Sequence, residues 1–465
     1  MNPITIDRIE NQGRAKSVLK VFGEAFYKKL RKKKKNTMKR LLTLLMFLVV
    51  AMGATAQEFD KFFTDRTLRT DLIFSGNCTS QQVTLRALHS WSGWAGRRTN
   101  LSEVPLRGDG ELSLTDTATG TVIYRTTFSS LFQEWVTMDE AKVADRAYEF
   151  SVLTPLPLAP ASLKIVLYNS EQEVVSEMTY ALNPADILIR NLDSKPKTPY
   201  TTLFSGASEG EKIDVAIVAE GYTAEEMELF RKDAERTIEA LFSHEPFGSM
   251  RDRFNFIAVE CASKDSGVSI PGEGVWKESA LDSHFDTFYA ARYLTTSAVF
   301  KMSEILSGLP YEHIIVLANT DTYGGGGIYN SYTLTTAHHE LFAPVVVHEF
   351  GHSFAGLADE YFYDTPDIAT NPLAATKEPW QQNITNLVDF QSKWADMLPE
   401  GSEIPSAATK KAEKNYTVGV YEGANYVSKG AYRPAVVCRM RNNTATQFCP
   451  VCQRAVERVI RFYTE

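Results

Sequence analysis

The sequence predicts an α+β chain of more than one domain, with a β-sandwich followed by an α/β domain. Three observations carry this. Short runs in which apolar and polar residues alternate fill the stretch from 57 to about 184, separated by turns. After a polar linker the order becomes strand, helix, strand, the signature of an α/β unit. The chain has 465 residues, which is more than one average domain holds.

The N-terminus is set aside first. Met38-Lys39-Arg40, the apolar run Leu41 to Met52 and the small residues Ala54-Thr55-Ala56 have the order of a secretory signal peptide. The run is shorter than the ~20 residues that a spanning helix needs. Because Met38 opens a well-formed signal, residues 1–37 read as a mis-assigned N-terminal extension. The expected organisation is therefore a signal peptide at 38–56, a β-sandwich at 57–190 and a second domain at 191–465. The expected destination is export to the periplasm, cell surface or exterior of a bacterium, with no transmembrane helix in the mature chain.

Residues 1–56 hold 13 Lys and Arg against 3 Asp and Glu, so leaving them out moves the formal charge from −8 to −18. So acidic a chain is a poor partner for nucleic acid or an anionic membrane.

In the first domain the strand segments include Gln82 to Leu88, Thr121 to Arg125, Ala147 to Leu153 and Ser162 to Tyr168. Trp91, Trp94 and Trp135 are read as packing residues, with a sugar-binding face as the alternative. No cluster of His, Asp and Glu with catalytic spacing occurs here.

The linker runs from 185 to about 212. Ile213 to Glu220 reads as a buried strand, and Thr223-Ala224-Glu225-Glu226 starts a helix with capping-box residues that reaches about Phe242. Phe254 to Glu260 and His313 to Ala318 are further strands of a mixed sheet. Between them lie a loop at Ser263 to Gly274 and a helix expected near Ser283 to Leu294. Tyr323 is followed by four glycines and then by Ser331 to Thr336. No Lys-Ser/Thr follows the glycines, so a phosphate cradle is rejected. A turn into an exposed edge strand, able to pair with an extended peptide, fits better.

Val345-Val346-Val347 then leads into His348-Glu349-Phe350-Gly351-His352, an H-E-x-x-H. On a helix, positions i and i+4 share a face, so both imidazoles can reach one ion. The carboxylate of Glu349 then lies where it can take a proton from water at that ion. His338-His339-Glu340 has no partner four residues on and is discounted. Catalytic zinc takes three protein ligands. On a continuing helix Asp359 would lie ~10 Å beyond His352 along the axis, out of reach of one ion. A stop at Gly356 lets the chain turn back, making Asp359 the third ligand, with Glu360 the alternative.

The stretch from His348 to Tyr361, preceded by a β-rich module, resembles the IgA-peptidase family of secreted bacterial zinc metallopeptidases. The resemblance extends to Phe59–Asp71, Asp214–Tyr222, Tyr421–Ala424 and Cys438–Arg441. It implies one catalytic Zn2+, His348, His352 and Asp359 as its ligands, Glu349 as catalytic base, and a protein or peptide substrate. Cys438-x-Met440 is similar to the methionine turn of metzincins, which places Met440 beneath the metal, with core packing as the plainer reading. Tyr432 and Tyr421 are the candidates for stabilising a transition-state oxyanion. The fold class expected is α+β and multidomain, an N-terminal β-sandwich followed by an α/β metzincin-like zinc metalloprotease domain.

Of the five cysteines, Cys438, Cys449 and Cys452 cluster near the C-terminus. A disulfide from Cys438 to Cys449 or Cys452 and metal binding both stay open. Two other functional readings compete with a zinc endopeptidase. One is a glycan- or protein-binding surface protein with a vestigial metal domain; the other is a metal-dependent amidase.

Overall fold

The computed structural model describes residues 59–363 and 376–465, all within one compact unit, Gln57–Glu465. The expected signal peptide and the extension before it lie outside the described residues. Among the described residues no helix is long and apolar enough to cross a membrane.

The first module contains β1 (Phe63–Gly76), β2 (Gln81–Ser92), β3 (Gly110–Asp116), β4 (Val122–Phe128), the short helix α1 (Leu131–Trp135), β5 (Arg146–Pro157), β6 (Ala161–Tyr168), β7 (Val174–Leu182) and the two-residue β8 (Arg190–Asn191). They form two four-stranded sheets, ordered β5-β1-β2-β8 and β4-β3-β6-β7. Along β3 every second residue is buried, and the inward set of both sheets meets in one core with Leu72, Phe74, Leu112, Phe128, Phe150 and Ile165. Phe128 and Phe150 sit 4.4 Å apart and Phe74 and Phe150 5.0 Å apart, which holds the sheets together at their centre. Trp91, Trp94 and Trp135 are all buried, so they are core residues and expose no sugar-binding face.

The second module follows with β9 (Tyr200–Ser205), β10 (Ile213–Glu220), α2 (Met227–Phe242), β11 (Phe254–Val259), α3 (Val299–Leu306), β12 (His313–Ala318), β13 (Gly325–Ile328), β14 (Tyr332–Thr336) and α4 (Phe342–Ala355). The six strands make one mixed sheet, β13-β14-β12-β10-β11-β9. Its centre is parallel (β14, β12, β10, β11), and β13 and β9 run antiparallel at the two edges. The near-continuous apolar runs of β10 and β12 suit strands covered on both faces. Ahead of α2, the Thr223 backbone N–H donates to the Glu226 carboxylate at 2.8 Å, the return half of a capping box. The chain closes with a small hairpin, β15 (Tyr421–Ala424) and β16 (Val427–Arg433), and α5 (Pro450–Thr464), which packs on α4.

The helix expected at Ser283–Leu294 does not form. Glu220, wholly buried at the end of β10, draws the Ser279 hydroxyl (2.6 Å), the Leu281 N–H (2.7 Å) and the Ser283 N–H (2.9 Å) onto its carboxylate. That arrangement wraps the segment as a loop. Asp282, Asp286, Phe288 and Tyr289 take positive φ, so only one 3-10 turn at Thr287–Tyr289 appears. The helix comes later, as α3.

The two modules share a polar seam. Arg69 of β1 is 1 % exposed and reaches across to Ser307 (3.0 Å) and Glu304 (2.6 Å). The Arg97 N–H donates to Glu312 at 2.9 Å, and the Asn330 amide donates to the Thr127 carbonyl at 2.7 Å.

Candidate metal centre

Helix α4 carries the motif. It ends at Ala355, and Gly356 adopts the left-handed conformation (φ 55°, ψ 32°) that a side chain would oppose. The Leu357 N–H returns to the Gly351 carbonyl at 3.2 Å, and the chain reverses. Asn383, fully buried, clamps the returning loop: its side chain accepts from the Ala358 N–H and donates to the Ala358 carbonyl, each at 2.8 Å.

The reversal brings Asp359 under the histidines. Its Oδ1 lies 2.9 Å from His348 Nε2 and 3.3 Å from His352 Nε2, and the two Nε2 atoms are 3.0 Å apart. Both rings are fixed from behind. His348 Nδ1–H donates to the Arg439 carbonyl at 3.0 Å, and His352 Nδ1–H to the Leu357 carbonyl at 2.5 Å. A carbonyl only accepts, so the proton of each neutral ring sits on Nδ1 and both Nε2 lone pairs face Asp359. Asp359 Oδ1 is buried and has no geometrically sound hydrogen bond, despite the short distances. Three lone pairs thus converge on one point with spacings near the ~3.3 Å edge of a tetrahedral zinc site with Zn–N of about 2.0–2.1 Å. Burial works to lower the His352 pKa, yet the Asp359 carboxylate overrides it and pushes it up to about 9. The pocket is made for positive charge, and the donor set fits a metal ion.

Glu349 offers a carboxylate oxygen within 4.8 Å of the histidine nitrogens. Burial holds its carboxyl above the usual range, opposed by the two imidazoles. The strand beside it is the glycine run. A Cβ on Gly325 would sit 2.9 Å from Glu349 Cγ, and one on Gly327 would sit 2.2 Å from the Glu349 carbonyl oxygen. Gly326 points to the other face, against the Tyr293 ring. The run is therefore needed for close packing. It is an edge strand but not a bare one, because Gly325 bridges to Tyr293 and accepts from the Leu294 N–H at 3.4 Å.

Met440 is buried directly beneath α4, its sulfur 2.9 Å from where a Cβ on Gly351 would lie. The remaining expected residues lie elsewhere. Glu360 faces away from the histidines, toward Asn383 (3.0 Å) and Cys452 (3.1 Å). The Tyr421 hydroxyl donates to the Thr417 carbonyl at 3.2 Å, within a small cluster with Ala412 and Val436. Tyr432 pairs its backbone with Thr385. His338 binds Asp233 at 2.8 Å.

The tyrosines that do reach the site are others. The Tyr426 hydroxyl donates to Asp359 Oδ2, and Tyr426 sits at φ 67° in the β15–β16 turn, a strained position that aims the ring at the site. Tyr361 stacks on His348 at 6.5 Å, and Arg292 holds the Tyr361 and Tyr363 hydroxyls at 3.2 and 2.9 Å. From the first module, Glu134 of α1 accepts the Tyr293 hydroxyl, and burial raises its carboxyl to about 7. Tyr361 stood within the motif's own flank and Tyr426 two residues beyond a recognised segment. Arg292 and Glu134 carried no local signal.

The family description "IgA Peptidase M64" matches residues 202–415 and 406–460, and "Peptidase M64 N-terminus" matches 58–179. The chain belongs to the IgA peptidase M64 family. It is therefore a peptidase, and its protein substrate follows from that. The two matches divide the chain much as its two hydrophobic cores do, with the M64 peptidase part carrying α4, the returning loop and Met440. No curated protein matches it.

Proposed function

We propose that the chain is an exported, zinc-dependent endopeptidase of metzincin-like architecture, with His348, His352 and Asp359 holding the ion and Glu349 as general base. The observation that carries this reading is the convergence of three unshared lone pairs beside the half-buried Glu349 carboxylate. Zinc, when bound, supplies Lewis acidity that polarises a scissile carbonyl and lowers the pKa of water toward ~7. Glu349, whose basicity burial has raised, takes the proton as water attacks and delivers it to the departing amine. Tyr426 fixes the second oxygen of Asp359, which keeps Oδ1 aimed at the ion. Arg292 and Tyr361 place a cation and a hydroxyl beside His348, suited to a developing oxyanion. The outer edge of β13 beyond Gly325 offers backbone groups to an extended peptide.

Glu349→Ala is expected to keep its metal by elemental analysis while losing about 10²–10⁴-fold of its cleavage of a random peptide library. Wild-type rates in that variant would refute the mechanism.

A further inference from the structure

Behind the loop that carries Asp359, a second group of ligand atoms closes on itself. Glu360, Cys438, Cys449 and Cys452 are all buried, and their ligating atoms lie within 4.8 Å of one another. The Cys438 and Cys452 sulfurs are 3.8 Å apart, far beyond the ~2.05 Å of a disulfide. All three cysteines are free, so the disulfide that the sequence left open does not form. Two thiolates on one tetrahedral ion with Zn–S of about 2.3 Å are separated by about 3.8 Å. Glu360 Oε1 is 3.1 Å from Cys452 Sγ, which puts a carboxylate in the fourth corner. Its other oxygen is buried without a hydrogen-bond partner, and Glu360 forms no ion pair among the described residues.

Buried cysteines are ordinary core residues on their own. A buried carboxyl group facing three of them with one oxygen unpaired is not, because an unpartnered polar atom in the interior is costly. The backbone is also prepared for thiolates. Cys449 stands at the N-cap position of α5 with Cys452 in the first turn, and the Cys449 N–H donates to Cys438 Sγ at 3.2 Å.

We propose that Glu360, Cys438, Cys449 and Cys452 bind a second, structural metal ion, a thiolate-preferring divalent cation of the zinc type. The site goes beyond the proposed catalysis and does not depend on it. It ties together the three segments that shape the first site. Glu360 follows Asp359 directly and its N–H donates to the Met440 carbonyl at 2.9 Å. Cys438 lies two residues before Met440 and one before the carbonyl that orients His348. The C-x-x-C anchors both to α5.

The test is metal content and spectroscopy on the full chain, loaded with Zn2+ or Co2+ and freed of excess. Two ions per chain are expected in the wild type and one in the His348→Ala/His352→Ala variant. With cobalt, that variant keeps a thiolate-to-metal charge-transfer band in the near ultraviolet, which a His/Asp site cannot give. Glu360→Ala is expected to weaken the second ion at least tenfold, and Glu360→Cys to retain it by completing a four-cysteine site. The proposal is overturned if the double-histidine variant binds no ion and shows no such band while its three buried cysteines are recovered as free thiols or a disulfide. If the wild type instead holds a single ion that shows the band, this site stands and the catalytic assignment fails.

Discussion

Replacing Gly327 by alanine tests whether β13 positions the general base. The added Cβ would fall 2.2 Å from the Glu349 carbonyl oxygen and 2.9 Å from His352 Cβ. The first contact is with backbone, so no side chain can swing aside. Reaching ordinary van der Waals separation needs a displacement of about 1 Å between β13 and α4, in a region packed on both faces. A misplacement of about 1 Å at a reacting group costs on the order of 10²-fold in rate. The overpacking itself costs about 1–3 kcal/mol. The assay is kcat/KM on a peptide identified from library cleavage, with urea unfolding in parallel. Gly210→Ala, whose Cβ meets nothing nearer than 3.8 Å, serves as control and is expected to behave as wild type. A Gly327→Ala enzyme within twofold of wild type, with an unchanged unfolding midpoint, would mean that strand and helix are not in the contact described.

Three further perturbations have definite signs. His313 is buried against Phe354 and Tyr463, and burial lowers its pKa to about 3 from 6.5. The unfolded chain then binds the proton more readily, so stability falls as pH drops below 6.5, by about 2 kcal/mol at pH 5. His313→Phe should flatten that slope in urea titrations between pH 7 and 5, and an unchanged slope would contradict the assignment. Glu134 is the opposite case: with its carboxyl raised to about 7 mainly by burial, stability is lost as pH rises from about 4.5 through 7. Glu134→Gln should therefore raise the melting temperature relative to wild type at pH 8 and not at pH 5, and an equal gain at both would sink the idea. Asp359→Ala should lower zinc affinity at the histidine site at least tenfold, measured by competition with a chelator, and retained affinity would remove it from the ligand set.

Much of the fold was legible because periodicity reports burial. The alternation in β2, β4, β5 and β6 and the apolar runs of β10 to β12 place those strands close to where they occur. The reversal that seats Asp359 was legible from Gly356, since a left-handed stop is a local property of one residue. What escaped was set by distant partners. Ser283–Leu294 contains helix-compatible residues, yet Glu220, some sixty positions earlier, claims the Ser283 and Leu281 amides. Tyr421 and Tyr432 are the sequence candidates and Tyr426 is not among them, because only the twist of the β15–β16 turn decides which ring faces Asp359. The four glycines read as a loose, exposed edge, since the need for room on both faces belongs to α4 and Tyr293. Glu360 looked like a spare ligand for the first site until alternate residues of the loop proved to face opposite ways.

The bond between Tyr293 and Glu134 crosses from one family segment to the other, and it holds a ring that packs on β13 from a helix of only five residues. The sandwich is thus a tenant with a key to the workshop. A recombination that exchanged the N-terminal module between relatives would also exchange this partner of Tyr293, the ring that packs on Gly326 of β13. A gene fragment cut at the linker would lose Glu134 as well as the Arg69 and Arg97 contacts. Inheritance should therefore keep the two segments together as one selectable piece, and the linker marks a seam in the sequence but not a place where the working enzyme can be divided.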